Sequence, residues 1–266
     1  MEFSLAELCI AAGADIFHDE EPEVFATLIG LVPRLAGSLA KRTIRPGIMM
    51  SDGEYYFVSE PVPVGPRNGY KPKREGQIGY ERVFDLIARG NRHAFVGPVQ
   101  VDRFGQMNLS VIGDYEKPKA ALLGVRGFPG NTINNRTSMF FPAHSKRAFV
   151  EGEVDMVSGA GYNLARYPDG KYPPGLDHRR IITDLCVMDF EGPDHAIRVR
   201  SLHPGVSFDE VQDKTGFELL RPEVIPMTAS PTQEQLDIIS ELDPHNLRTT
   251  IFKDNPSGIR PDIKET

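Results

Sequence analysis

Residues 24–42 constrain the fold more than any other stretch. Val24 to Ile29 is a short apolar run, Gly30 follows it, and Pro33 opens a helical pattern that continues to Arg42. A short apolar run without alternation suits a strand buried on both faces. Proline suits a first helical turn, because N–H groups there have no partner inside the helix. A strand, a glycine and a helix in that order are the local grammar of α/β folds. The chain has 266 residues, enough for one large α/β domain. No internal repeat or Pro/Ser linker divides it. We expect a single domain over residues 1–254 and a polar tail over 255–266, frayed or bound to a partner.

Other elements follow from periodicity and punctuation. Phe3 to Ala12 fits a short amphipathic helix, and Asp19 to Pro22 a turn. Ile48 to Met50 reads as a second buried strand, and Tyr80 to Ala88 as a helix. Ala94 to Val101 is apolar but broken by Gly97-Pro98, so this strand bends or ends there. Ala120 to Val125 reads as a further buried run. Arg180 to Phe190 and His195 to Leu202 are Val/Ile-rich strands, suited to an antiparallel pair. A final helix covers Thr232 to Leu242, with Ser230 or Thr232 as its N-cap.

Charge and cysteine content exclude several classes. Lys and Arg number 30 and Asp and Glu 37, a net charge of −7. That opposes nonspecific binding to nucleic acid or an anionic membrane surface. No apolar run is long enough to span a bilayer. The segment MEFSLAELCIAAGADIF lacks the basic start of a signal peptide. Cys9 and Cys186 lie far apart in apolar stretches and read as buried free thiols. A reducing, cytoplasmic setting is the expectation. His18, His93, His144, His178, His195, His203 and His245 are scattered without metal-ligand spacing, so no metal site is expected. GxGxxG after a strand, GxxxxGK[ST] and GxSxG are all absent.

Two places remain where chemistry can sit. One is the polar tip Ser51-Asp52-Gly53-Glu54 after a buried strand, which is either a reactive tip or a solvated turn. A carboxylate there can act as nucleophile or general base. The other is Gly124-Val125-Arg126-Gly127-Phe128-Pro129-Gly130-Asn131. Its glycines permit positive φ and expose backbone N–H groups. An arginine among them can hold a carboxylate or an oxyanion. The basic stretch Arg67 to Arg82 is a solvated loop, or a surface for phosphates or an acidic partner.

The order of segments resembles the beta subunits of family I CoA-transferases, the group that contains glutaconate CoA-transferase. The resemblance runs over almost the whole chain. It is carried by LAKRTIRPGIMMSDGE, FVGPVQVDRFGQMNLSVIGDY, GVRGFPGN, HSKRAFVEGEVDMVSG and LHPGVSFDEVQDKTGFEL. It implies an open, mostly parallel sheet flanked by helices. It also implies a homologous alpha subunit as partner in an α2β2 assembly, an active site at the interface, and coenzyme A present only as part of the substrate, with no separate cofactor.

Two departures matter. The transferases carry a catalytic glutamate in a Glu-Ser-Gly or Ser-Glu-Gly-Gly motif, where this chain has Ser51-Asp52-Gly53-Glu54. Their GxGG oxyanion loop reads Gly124-Val125-Arg126-Gly127 here, with arginine in place of a glycine. Both departures resemble a smaller branch of the family, beta subunits of hydrolases that open a ring of steroid-derived CoA thioesters. That branch implies that the alpha subunit supplies the main catalytic glutamate. The candidate catalytic residues are Arg126, Asp52 and Glu54. The candidate substrate-binding residues are Gly97, Gln100, Gly124, Gly127, Phe128 and Asn131. The alternatives are a transferase that forms a glutamyl- or aspartyl-CoA thioester and a scaffold subunit without catalytic groups.

Overall fold

The computed structural model describes residues 2–21 and 23–261. Pro22 of the expected turn and residues 262–266 of the expected tail lie outside the described residues. The chain runs through α1 (Leu5–Asp15), β1 (Phe25–Leu28), α2 (Leu31–Thr43), β2 (Met50–Ser51), β3 (Tyr56–Val58) and β4 (Arg74–Gln77). It continues through α3 (Tyr80–Ala88), β5 (Arg92–Val96), β6 (Gln100–Val101), β7 (Met107–Asn108), β8 (Val111–Ile112) and β9 (Ala120–Ala121). The last part holds α4 (Phe128–Thr132), β10 (Arg136–Phe141), β11 (Asp177–Thr183), β12 (Cys186–Asp189), β13 (Arg198–Leu202), α5 (Phe208–Asp213) and α6 (Gln233–Leu242).

Six strands form the main sheet in the order β1-β5-β10-β11-β12-β13. The first four are parallel, and β12 and β13 add antiparallel neighbours at one side. Side chains alternate across this sheet with period two. Phe95, Phe140, Ile182 and Val187 point into a core shared with α1, α2 and α6. Ala94, Val96, Met139, Phe141, Ile181, Cys186 and Met188 point into a second core on the other face. That second core is closed by segments around Val101, Met107, Phe149 and Tyr162 instead of by long helices.

Ser4 caps α1 in a capping box with Glu7. The helix is buried almost all round, not on one stripe as the expected amphipathic helix would be. It is a core helix, closed in by α2 and α6 as well as by the sheet. A side chain at Gly13 would stand 2.7 Å from the Ala36 Cβ, so glycine permits the close crossing of α1 and α2. Thr232 is the N-cap of α6, in a capping box with Gln235. Cys9 and Cys186 are buried free thiols.

Several expectations need correction. The run at Ile48 to Met50 is not a strand of the main sheet. One bridge joins Met49 to Phe25, and β2 then pairs with β3, which pairs with β4, in a separate antiparallel sheet. The basic stretch over residues 67–82 contains β4, whose four residues are all exposed. Residues 120–125 are not a buried run: β9 is short and exposed, and Leu123 is 82% exposed. Arg180 to Phe190 is two antiparallel strands. Thr183 Oγ1 accepts the Leu185 and Cys186 N–H groups and turns the chain between them. The segment from Pro256 to Arg260 is tied down, bonding back to Leu5, Phe3 and Pro204.

Candidate active site

The tip at Ser51–Glu54 is a closed turn. Asp52 Oδ1 accepts the N–H groups of Glu54, Tyr55 and Tyr56 at 2.9, 2.9 and 3.1 Å. The Asp52 N–H donates to the Tyr56 carbonyl, and Gly53 takes the positive φ the turn requires. The Asp52 side chain is 0% exposed, with an Arg74 guanidinium nitrogen 3.6 Å from its second oxygen. Burial pushes this carboxyl up, but the three backbone donors together outweigh it and hold the group below the usual carboxylate range. Arg34 and Arg67 donate to the Ser51 and Asp52 carbonyls. Glu54 is exposed and pairs with Arg67 at 3.1 Å. Asp52 is therefore a charged acceptor whose Oδ1 is committed to the turn, while its buried Oδ2 has no hydrogen-bond partner and faces Arg74; Glu54 is a solvent-facing partner of Arg67.

The Arg126 loop is open. Arg126 is exposed, and its φ of +50 is left-handed, a region that favours glycine. Glycine at this place in the transferase motif thus has a backbone reason, and arginine there carries strain of about 1 kcal/mol. Among the described residues its guanidinium makes no hydrogen bond or ion pair. Gly124 also has positive φ, and no other atom lies within 4 Å of where a side chain at Gly124 or Gly127 would begin. Gly127 caps α4, and the ring of Phe128 packs beside Gly159 on the second core. Asn131 is buried; its amide reaches Thr137 Oγ1 at 3.4 Å, and its carbonyl oxygen has no partner.

The other expected contacts divide. Gly97 is exposed just past the end of β5, where a side chain would begin 3.5 Å from the Phe140 carbonyl. Gln100 is buried, and both ends of its amide are engaged with Asn108 and Asp155. No hydrogen bond or ion pair among the described residues joins the Ser51–Glu54 turn to the Arg126 loop. Helix α3 touches both neighbourhoods: Leu86 packs with Phe25 and Phe57, and the helix packs on α4.

A buried chain of polar groups carries no sequence signal. Glu20 Oε1 lies 2.7 Å from His93 Nδ1, and His93 Nε2 lies 2.9 Å from Ser138 Oγ. The spacing is that of a nucleophile, base and orienting acid. All three residues are buried, however, and Phe17 covers the imidazole. Without access, this chain is a core hydrogen-bond network. No local motif marks it, because its members are brought together from three separate segments. Burial also lowers His144 to about 3 and His178 and His203 to about 4, so these three are neutral near pH 7 and poor proton acceptors. Among the described residues no cluster of three or more His, Cys, Asp or Glu is placed to hold a metal. Among them, too, no helix is long and apolar enough to cross a membrane.

The sequence profile of coenzyme A transferases matches residues 49–214, which include the turn and the loop. The chain is 40% identical to the cholesterol ring-cleaving hydrolase IpdB subunit of Rhodococcus jostii, over 93% of this chain and 95% of that protein. It is 38% identical to the protein of the same name from Mycobacterium tuberculosis, over 91% and 96%. The B subunit of the 3-oxoadipate CoA-transferase of Pseudomonas knackmussii is 30% identical over 81% and 84%. The crystal structure of Rhodococcus jostii IpdAB superposes with a TM-score of 0.86 at 38% identity, covering 95% of this chain and 100% of that one. The chain belongs to the coenzyme A transferase family, and its relatives there include both transferase subunits and the IpdB subunits of cholesterol ring-cleaving hydrolases.

Proposed function

We propose that this chain is the beta subunit of a cytoplasmic two-subunit hydrolase that opens the ring of a cholesterol-derived cyclohexenone carboxyl-CoA thioester. The observation that carries the reading is the 40% identity to an IpdB subunit over 93% of the chain, and it is supported by a Ser51–Glu54 turn in which Asp52 is buried and folded back on its own backbone and Glu54 pairs with Arg67. The partner is an alpha subunit, and it supplies the glutamate that activates water. Exposed apolar side chains beside the site support such a covering partner: Leu123 precedes the Arg126 loop, and Tyr80 and Phe84 lie one turn apart on α3.

In the proposed reaction, water adds to the ring ketone β to the thioester, and its proton goes to the partner's glutamate. The carbon–carbon bond then breaks, its electron pair enters the thioester enolate, and protonation there leaves a ring-opened carboxylate still joined to CoA. Arg126 stabilises the negative charge that develops on oxygen, its guanidinium becoming ordered when substrate and partner cover the loop. Backbone at Gly124 and Gly127 lines the acyl pocket, with Gly97, Phe128 and Asn131 around it. Coenzyme A enters with the substrate, and no separate cofactor takes part.

The test is ring opening by the two co-expressed chains without an acceptor acid, in water enriched in oxygen-18. The account expects turnover, with one labelled oxygen in the new carboxylate and CoA retained on the product. Dependence on an acceptor acid would place the enzyme among the transferases. Full activity with Asp52 and Arg126 both replaced would make this chain a scaffold.

A further inference from the structure

We propose that Asp155, with Gln100 and Asn108, forms a clamp that positions Arg126 by fixing the root of the hairpin from which its loop leaves. The proposal rests on the role given above to Arg126. Gln100 and Asn108 face each other across β6 and β7. Gln100 Oε1 accepts from Asn108 Nδ2 at 2.7 Å and from the Asp155 N–H at 3.1 Å, while its Nε2 donates to Asp155 Oδ2 at 3.1 Å. Asn108 Nδ2 also donates to the Val111 carbonyl at 2.6 Å, and its Oδ1 accepts the Ser110 N–H at 2.9 Å. Asp155 Oδ2 accepts the Gly113 N–H at 2.8 Å. The outgoing strand closes on the same point, since the Leu122 N–H donates to the Ser110 carbonyl at 2.7 Å.

Arg126 lies four residues beyond Leu122. On its far side, α4 is fixed as well, because Thr132 Oγ1 accepts the Ala160 N–H at 2.9 Å. The loop thus spans two anchors, one made by the clamp and one by α4. Between them Gly124 takes a positive φ that costs a glycine little, while Arg126 holds one that persists in a non-glycine residue only when its surroundings over-determine it. Asp155 is exposed, so its removal opens no core cavity. It takes part through Arg126, not by touching substrate, and the Gln100 amide is held in the same role.

The two-subunit enzyme carrying Asp155→Ala tests this, alone and combined with Arg126→Ala. The expected result is a fall in kcat of about 10- to 100-fold, since misplacement near 1 Å is costly. KM changes by less than about 3-fold. The double variant is within about 2-fold of Arg126→Ala alone, as expected when one group acts through the other. Asp155→Asn, which keeps an acceptor for the Gly113 N–H, recovers most of the rate. Hydrogen exchange at the Leu122 amide of the same complex, whose N–H bonds to the Ser110 carbonyl, accelerates in Asp155→Ala and stays unchanged in Arg126→Ala. Losses that multiply in the double variant overturn the proposal, as does unchanged exchange. The exchange measurement needs no turnover, so it separates failure of the clamp from failure of the catalytic role of Arg126.

Discussion

The Ser51–Glu54 turn and the Arg126 loop are the two places that the resemblance to the transferases marks for chemistry, and they are built in opposite ways. The turn is closed on itself: one oxygen of its buried carboxylate takes three backbone N–H groups, and the other faces the Arg74 guanidinium. The loop is held at its ends and open in the middle, with an exposed cation on a strained residue. A fold can keep both places while moving chemistry off one of them. Shortening a nucleophilic side chain by one methylene lets it fold back onto its own backbone, where it stabilises structure and no longer reaches a substrate.

Substitutions break or sharpen this contrast. Arg126→Ala has the largest expected effect: kcat/KM falls by about 100- to 1000-fold, the scale of losing one charge-stabilising group. Thermal stability is retained, because the residue is exposed and the replacement leaves its neighbours untouched. Steady-state kinetics beside a melting curve reads both quantities. Asp52→Ala reverses the pattern. It strands three backbone donors and lowers stability by about 1–3 kcal/mol, measured by chemical denaturation, while kcat per folded enzyme stays within about 3-fold of wild type. Glu54→Gln has the smallest effect. Its pair with Arg67 is exposed and is worth about 0–1 kcal/mol, so activity and stability both stay near wild type.

Much of the scaffold is legible because period and punctuation agree with the final structure. The strand–glycine–helix unit forms β1 and α2, and the break at Gly97-Pro98 marks the end of β5. The misreadings have physical causes. The turn between β11 and β12 contains neither glycine nor proline; it is made by the Thr183 hydroxyl, so two strands read as one. The strand Arg136–Phe141 gives no periodic signal, since burial on both faces erases alternation and its first residues are polar. Leu122 and Leu123 read as core because apolar character does not say whether a side chain meets its own chain or another. At the site, Arg126 is visible as a departure from a motif. The commitment of Asp52 is not visible: its partners Arg67 and Arg74 come from a stretch that reads as a solvated loop. The commitment of Gln100 depends on Asp155, which is distant in sequence.

The central claim is that this chain contributes a cation, and no covalent nucleophile, to the reaction. Its most direct test is the intact mass of this chain in the two-subunit enzyme, quenched during turnover with borohydride and then mapped by peptide. The account predicts an unmodified chain, with Asp52 and Glu54 both intact. A CoA adduct, or reduction of either carboxyl to an alcohol, would contradict it.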